Sequence, residues 1–327
     1  MYKSIIQFLV AVVLSGFAAA CTQPGGRPRP DAPDSVSVVA LYRYFYDGDS
    51  AAVMAHPRLA EDFLRVVDFP TDDLSAGASM WSNSLPVRVF TPAVDSIYGH
   101  DGPPLDSYVG YALAAARLEG IALPERDYAA VVYGRREAIG FSDSVMYIAL
   151  NHYIDPDYPG YQRFPVYERV VKTPAQLPYD IAEALVGSQL PYQAPSDGGT
   201  ALSHMLYEGA LACARTALVE NADEAEALGY SERQYEWVLD HEAELWRELI
   251  SRELLYDTDE TAWRRLVSPA PVTSVLSIYS PGRAGRFLGY RMVKRYLEAH
   301  PEADLASLLS PEFYNAPDVL EKIDYNP

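Results

Sequence analysis

The segment Thr200–Glu220, TALSHMLYEGALACARTALVE, sets His204 and Glu208 one helical turn apart within a run of small and apolar residues. Side chains at i and i+4 share a helix face, so the pair could hold a cation between them. The apolar stripe of this helix runs through Leu202, Met205, Leu206, Gly209, Cys213 and Ala217, with His204 and Glu208 on its flank. The segment reads either as part of a metal site or as a core helix carrying two polar residues. The other ligands on offer decide between the two.

A zinc peptidase places two histidines at i and i+4 with a glutamate beside the first, and takes its third ligand, often glutamate, from a later helix. Glu208 in YEGALACA suits that third place, but no H-E-x-x-H motif occurs. The nearest imitation, HEAEL at His241–Leu245, has leucine for the second histidine and falls inside an amphipathic pattern, where a surface flank is expected. By chain order the better ligand segment is LPYDIAEALVGSQLP, Leu177–Pro191, which offers Asp180 and Glu183 and no histidine. With Glu208 these carboxylates would form an oxygen site suited to a hard cation more than to zinc. The expectation is a remnant site at Asp180, Glu183, His204 and Glu208 that holds no metal and no cofactor, with no catalytic residue assigned.

Other chemistries find less support. There is no G-x-S-x-G elbow and no phosphate-loop glycine pattern. His152, ending the apolar run of ALNHYIDPDYPGY, could serve Cys213 or a serine as a catalytic base, but is expected to be a satisfied structural group. The 25 tyrosines could line a sugar-binding surface, yet many fall on helical stripes and read as core.

The chain has 327 residues, 49% of them hydrophobic, enough for one large globular domain. Lys3, the apolar run Ile5–Phe17 and Ala18–Ala20 before Cys21 form a signal peptide over residues 1–20. Small residues immediately before a cysteine resemble a bacterial lipoprotein cleavage box, which implies a lipidated Cys21; the alternative is ordinary secretory cleavage after Ala20. Lipidation would leave Cys213 without a disulfide partner. Residues 22–34, TQPGGRPRPDAPD, read as a Pro/Gly-rich tether that could extend roughly 40 Å. A single domain follows from residue 35 to 327.

A formal net charge of −19 argues against nucleic acid as a partner and against attachment through a charged face. The Glu220–Glu260 stretch is acidic, and Arg283, Arg286, Arg291, Lys294 and Arg295 form a basic run. Both are expected to be solvated helix faces and not a docking pair.

The first half reads as mixed. SVSVVALYRYFY and LPVRVFTP carry strand-type residues, while YAAVVYG and SVMYIALNHY read as two strands around the turn-rich RREAIGFSD. Helices take over from about Pro178. Ser231 and Gln234 form a capping box before one helix with the stripe Tyr235, Val238, Leu239, Leu245, Trp246, Leu249 and Ile250. A further helix begins near Pro281, carries Gly285, Leu288, Gly289, Met292, Val293, Tyr296 and Leu297 on one face, and stops at Pro301. Two glycines on that buried face imply that another backbone comes close.

Read in order, YIALNHYIDPDYPGYQRFP, LPYDIAEALV, SHMLYEGALACA, GYSERQYEWVLDHEAELWRELISRELLYDTD, VSPAPVTS and SPGRAGRFLGYRMVKRYLEAHP resemble the GldB-like gliding-motility lipoproteins of Bacteroidetes. Trp237, Trp246, Asp257, Thr258, Asp259, Pro269, Pro271, Pro281, Gly282, Arg283 and Gly289 are the specific part. The resemblance implies an α+β, mainly helical, zincin-like domain with a small N-terminal β-sheet, related to predicted zinc peptidases but without their metal-binding histidines. It implies an outer-membrane lipoprotein beside the gliding and type IX secretion machinery, a non-catalytic pseudopeptidase that binds an envelope protein through a degenerate groove. Glu208 would stand where zinc-bearing relatives keep their third ligand, and Asp180–Glu183 in the ligand-helix position. Arg283 and Trp246 are the candidates for a structural or partner-binding role, since an arginine at a helix start opposes the dipole and calls for a carboxylate. The acidic cluster that would mark surface export is missing after Cys21, which favours the periplasmic face. The competing readings are an envelope metallopeptidase and a solute- or glycan-binding lipoprotein.

Overall fold

A computed structural model describes residues 27–196 and 198–327. The signal peptide and Cys21 lie outside the described residues. The fold is α+β with a small sheet. Strand β1 (Val38–Val39) precedes helices α1 (Leu41–Asp47), α2 (Ser50–Ala55), α3 (Pro57–Val66), α4 (Leu74–Ser82), α5 (Leu85–Tyr98) and α6 (Leu105–Leu118). Strands β2 (Asp127–Val131), β3 (Ile139–Phe141) and β4 (Val145–Ala149) follow. The C-terminal half consists of α7 (Val166–Arg169), α8 (Leu177–Gln189), α9 (Ala201–Ala217), α10 (Glu224–Leu228), α11 (Glu232–Asp240), α12 (Glu242–Ser251), α13 (Glu260–Val267), α14 (Ala284–Ala299), α15 (Leu305–Leu308), α16 (Pro311–Tyr314) and α17 (Val319–Ile323). Among the described residues no helix is long and apolar enough to cross a membrane.

The sheet order is β1-β2-β4-β3, with β1, β2 and β4 parallel and β3 antiparallel at the edge. Strands β2 and β4 are buried almost throughout, as their unbroken apolar runs require of central strands covered on both faces. The turn-rich stretch between them holds β3, in register Ile139 to Ile148.

The strand reading fails N-terminal to this sheet. In SVSVVALYRYFY only Val38 and Val39 pair; the chain then turns into α1, which buries Leu41, Tyr42 and Phe45. LPVRVFTP opens α5, whose Val87, Thr91 and Val94 fall at i, i+4 and i+7 and are buried. That helical period outweighs the β-branched composition, and Pro86 sits in the first turn, where proline costs no hydrogen bond. Residues 27–34, read as tether, run along the domain instead. Asp34 N–H donates to Gly110 O at 3.0 Å, and Arg27 pairs with the buried Glu119 and donates to Ala303 O at 3.0 Å.

The capping box at Ser231 is formed, but the expected single helix breaks at His241. The ring of His241 stacks on Trp237 at 4.0 Å and its Nδ1 lies 2.8 Å from the Trp237 carbonyl oxygen, which also accepts the His241 backbone N–H at 3.2 Å. Leu239 and Ile250, placed on the buried stripe, are instead exposed. Trp246 is buried edge-on against Tyr325, 5.1 Å between rings, so its place is in the core.

Helix α9 is buried along almost its whole length and packs against α8, α10 and α13–α16. Its closest neighbour is α14. A Cβ added at Gly289 would stand 1.8 Å from the Met205 carbonyl oxygen, and one at Gly209 would stand 2.1 Å from the Gly289 carbonyl carbon. Each glycine admits the other helix's backbone, and Gly285 does the same for Leu266 of α13. The acidic and basic stretches do dock on each other, contrary to the solvated reading. Arg291 donates to Glu242 at 2.8 Å and Lys294 to Glu224 at 2.5 Å.

Gly289→Ala should therefore destabilise the protein by about 1–3 kcal/mol in urea unfolding, despite alanine's better helix propensity. Gly187→Ala in α8 has open space around it and should stabilise by about 0.5–1 kcal/mol. Equal effects of the two substitutions would refute the close crossing.

Candidate functional site

Asp180 and Glu183 lie one turn apart on α8. Glu208 and Arg215 lie two turns apart on one face of α9, and Arg286 sits in the first turn of α14. Packing α9 against both other helices brings these groups together. Arg215 donates to Asp180 at 2.9 Å, to Glu183 at 2.5 Å and to the Gln176 side chain at 2.7 Å. Arg286 grips both oxygens of Glu183, at 3.2 and 2.9 Å, and approaches Glu208 to 3.5 Å. The buried Tyr153 hydroxyl donates to the second oxygen of Asp180 at 3.0 Å. Gln176 in turn donates to the Glu226 carbonyl at 2.9 Å.

Burial alone would raise the Glu183 carboxyl, but the guanidiniums of Arg286 and Arg215 override it and hold the group well below the usual carboxylate range. Glu208 moves the other way. Its burial raises the pKa, Arg286 only partly offsets this, and the Glu183 charge adds to the rise. The Nε–H groups of both Arg215 and Arg286 are buried without a partner, so the cluster is held by its outer nitrogens alone.

His204 takes no part. Its ring is sandwiched between Trp263 at 3.6 Å and Tyr192 at 4.0 Å, and burial lowers its pKa to about 4. The i, i+4 pair that opened the sequence thus divides between an aromatic stack and an arginine. His152 has Lys172 Nζ at 2.8 Å from Nδ1 and the Arg135 carbonyl at 3.1 Å from Nε2; burial and the Lys172 charge lower it to about 3. Cys213 is not among its partners, and burial pushes that thiol up to about 12, which suppresses the nucleophilic thiolate. Tyr133, Tyr147, Tyr153 and Tyr314 are fully buried and line no sugar-binding cleft.

The donor set does not fit a divalent cation. A metal at Asp180, Glu183 and Glu208 would have to displace guanidiniums from the same oxygens and lie beside two fixed positive charges. Among the described residues no group of three His, Cys, Asp or Glu side chains is disposed to hold a metal ion.

Arg283 occupies the N-cap of α14 in the left-handed region, φ 64°. The carboxylate expected beside it is not there; Arg286, one turn on, takes the acidic partners. Arg283 instead lines a groove of about 250 Å³ with Pro269, Pro271, Tyr230 and Val170. Arg215 and Arg286 were missed from sequence. Arg215 has a signal, since Glu208 is the other carboxylate or guanidinium on a helix rich in small and apolar residues, whereas Arg286 falls in the basic run read as solvated.

Arg286→Met should cost about 3–5 kcal/mol, because it leaves Glu208 without its cation and Glu183 with Arg215 alone. Glu208→Gln, which removes a charge that is costly to hold, should be neutral or slightly stabilising at pH 7, and denaturant titration of the two variants separates these outcomes. His152 and His204 bind protons more readily when unfolded, so their contribution is complete above about pH 6.5 and is lost as pH falls toward the folded values. His204→Phe, which keeps the stack, should flatten part of the fall in melting temperature between pH 6.5 and 4; an unchanged slope would contradict the sandwiched geometry.

Residues 125–327 match the family described as gliding motility protein GldB. No curated protein and no solved structure matches the chain. The family match spans β2 through the C-terminus and takes in every residue of the charged cluster. Because it covers more than half of the sequence, the chain belongs to the GldB gliding motility protein family.

Proposed function

We propose that this protein is a lipid-anchored, non-catalytic component of the envelope machinery for gliding motility and type IX secretion. It is held to the outer membrane through acylated Cys21, faces the periplasm, and binds a protein partner. Its scaffold is that of a zincin-type peptidase in which arginines have replaced the metal. The observation that carries this reading is the engagement of both Glu183 oxygens by Arg286 and Arg215 at 2.5–3.2 Å. A carboxylate so held is fully ionised, already neutralised and closed to a hard cation. It cannot act as a general base at neutral pH, since its pKa is far below that range. The order of the elements agrees, since α8 with its two carboxylates follows the sheet and α9 with Glu208 comes next.

Elemental analysis of the purified chain should find less than about one zinc per ten molecules, and a chelator should leave the melting temperature unchanged. Stoichiometric zinc retained through gel filtration, or peptide hydrolysis abolished by the chelator, would revive the metallopeptidase reading. Cys21→Ser should move the protein from the membrane pellet to the soluble fraction, because the acyl chains supply the attachment.

A further inference from the structure

The groove at the start of α14 has apolar walls and one cation. Val166 of α7 and Val170 just after it form its rim, 63% and 49% exposed, and Tyr230, Pro269 and Pro271 close its sides. The walls are fixed. A Cβ at Gly282 would stand 2.0 Å from the Ala270 carbonyl oxygen, so that loop lies directly on the helix entry, and Thr273 ties the loop to Pro281 O at 2.8 Å and receives the Ala284 N–H at 3.0 Å. Gly229 has no side chain where the Arg283 guanidinium passes; a Cβ there would meet Nη1 at 2.9 Å.

Among the described residues Arg283 makes no ion pair. Its charged surroundings are the cations Arg286 and Arg215 and the carboxylates of Glu183 and Glu208, both of which Arg286 already engages. The surface around it belongs to a chain of net charge −19, so an uncompensated guanidinium at the base of an apolar groove is complementary to a ligand the protein does not itself supply. Its two parallel N–H groups match a carboxylate better than a tetrahedral anion, which calls for several donors where this groove has a single cation.

We propose that the Arg283 groove is the docking site for a carboxylate-bearing segment of the protein partner, an aspartate or glutamate flanked by an apolar residue. This rests on the partner-binding reading above. The apolar neighbour lies against Val166, Val170 and the two prolines while the carboxylate pairs with Arg283.

The test titrates acetyl-leucyl-glutamate amide, and its glutamine counterpart, into the full-length chain in detergent, followed by NMR. The glutamate peptide should bind in the submillimolar to millimolar range, and the glutamine peptide about tenfold more weakly. Arg283→Gly accommodates the positive φ and removes the guanidinium, so it should keep the melting temperature and lose the preference for glutamate; Arg283→Lys should restore part of it. Equal binding of the two peptides, binding unchanged in Arg283→Gly, no saturable binding, or displacement by equimolar inorganic phosphate would each overturn the assignment. A photo-crosslinker at Val170 in intact envelopes separates the two readings. A crosslinked envelope protein together with no peptide preference sinks only the carboxylate assignment, whereas the absence of any envelope partner sinks the reading beneath it.

Discussion

The contact between Gly209 and Gly289 sets the geometry on which the rest of the C-terminal half depends. Without side chains at the crossing, α9 and α14 meet backbone to backbone, with no room for a Cβ at either glycine. Glu208 immediately precedes one glycine, and Arg286 stands three residues before the other, so the crossing also fixes how far the guanidinium must reach. Glu183 enters from α8, on another side of the same central helix. Apolar packing and ion pairing are therefore a single construction: wider helix spacing would leave buried charges without partners, which is among the costliest faults a core can carry.

Three carboxylates from two helices meet near α9, and their repulsion has to be relieved. In a zinc peptidase imidazoles and a divalent cation would do so. Here two arginines do, each bringing a planar fork that needs no imidazole and cannot lose its charge. The arrangement has a cost in the two buried Nε–H groups left unpaired. Such lattices tend to contribute more to the definition of one geometry than to net stability. The pairing also explains Arg283. Glu183 accepts from two guanidiniums, Asp180 from Arg215 and Tyr153, and Glu208 lies beside Arg286, so the third guanidinium forms no ion pair among the described residues and faces the groove.

Much of this was legible in the residues. The apolar runs at 127–131 and 145–149, the capping box at Ser231, and the stripe and glycines of α14 carry their structure in local pattern, because each is set by period or by a cap. What failed was what depends on distant packing. LPVRVFTP has strand composition but is recruited as a helix by a face of Val87, Thr91 and Val94 that only the folded core reveals. The break at His241, where backbone N–H and ring Nδ1 both lie at the Trp237 carbonyl, has no periodic signature. Asp180, Glu183 and Glu208 were recognised as a group, but their partners were not, since Arg215 and Arg286 lie 32 and 103 residues from Glu183 along the chain.

The same pairings alter what the net charge means at a membrane. Arg286, Arg291 and Lys294 are engaged by Glu183, Glu242 and Glu224 within the domain, which leaves Arg295 as the exposed cation of the basic run. Arg27 is likewise engaged by Glu119.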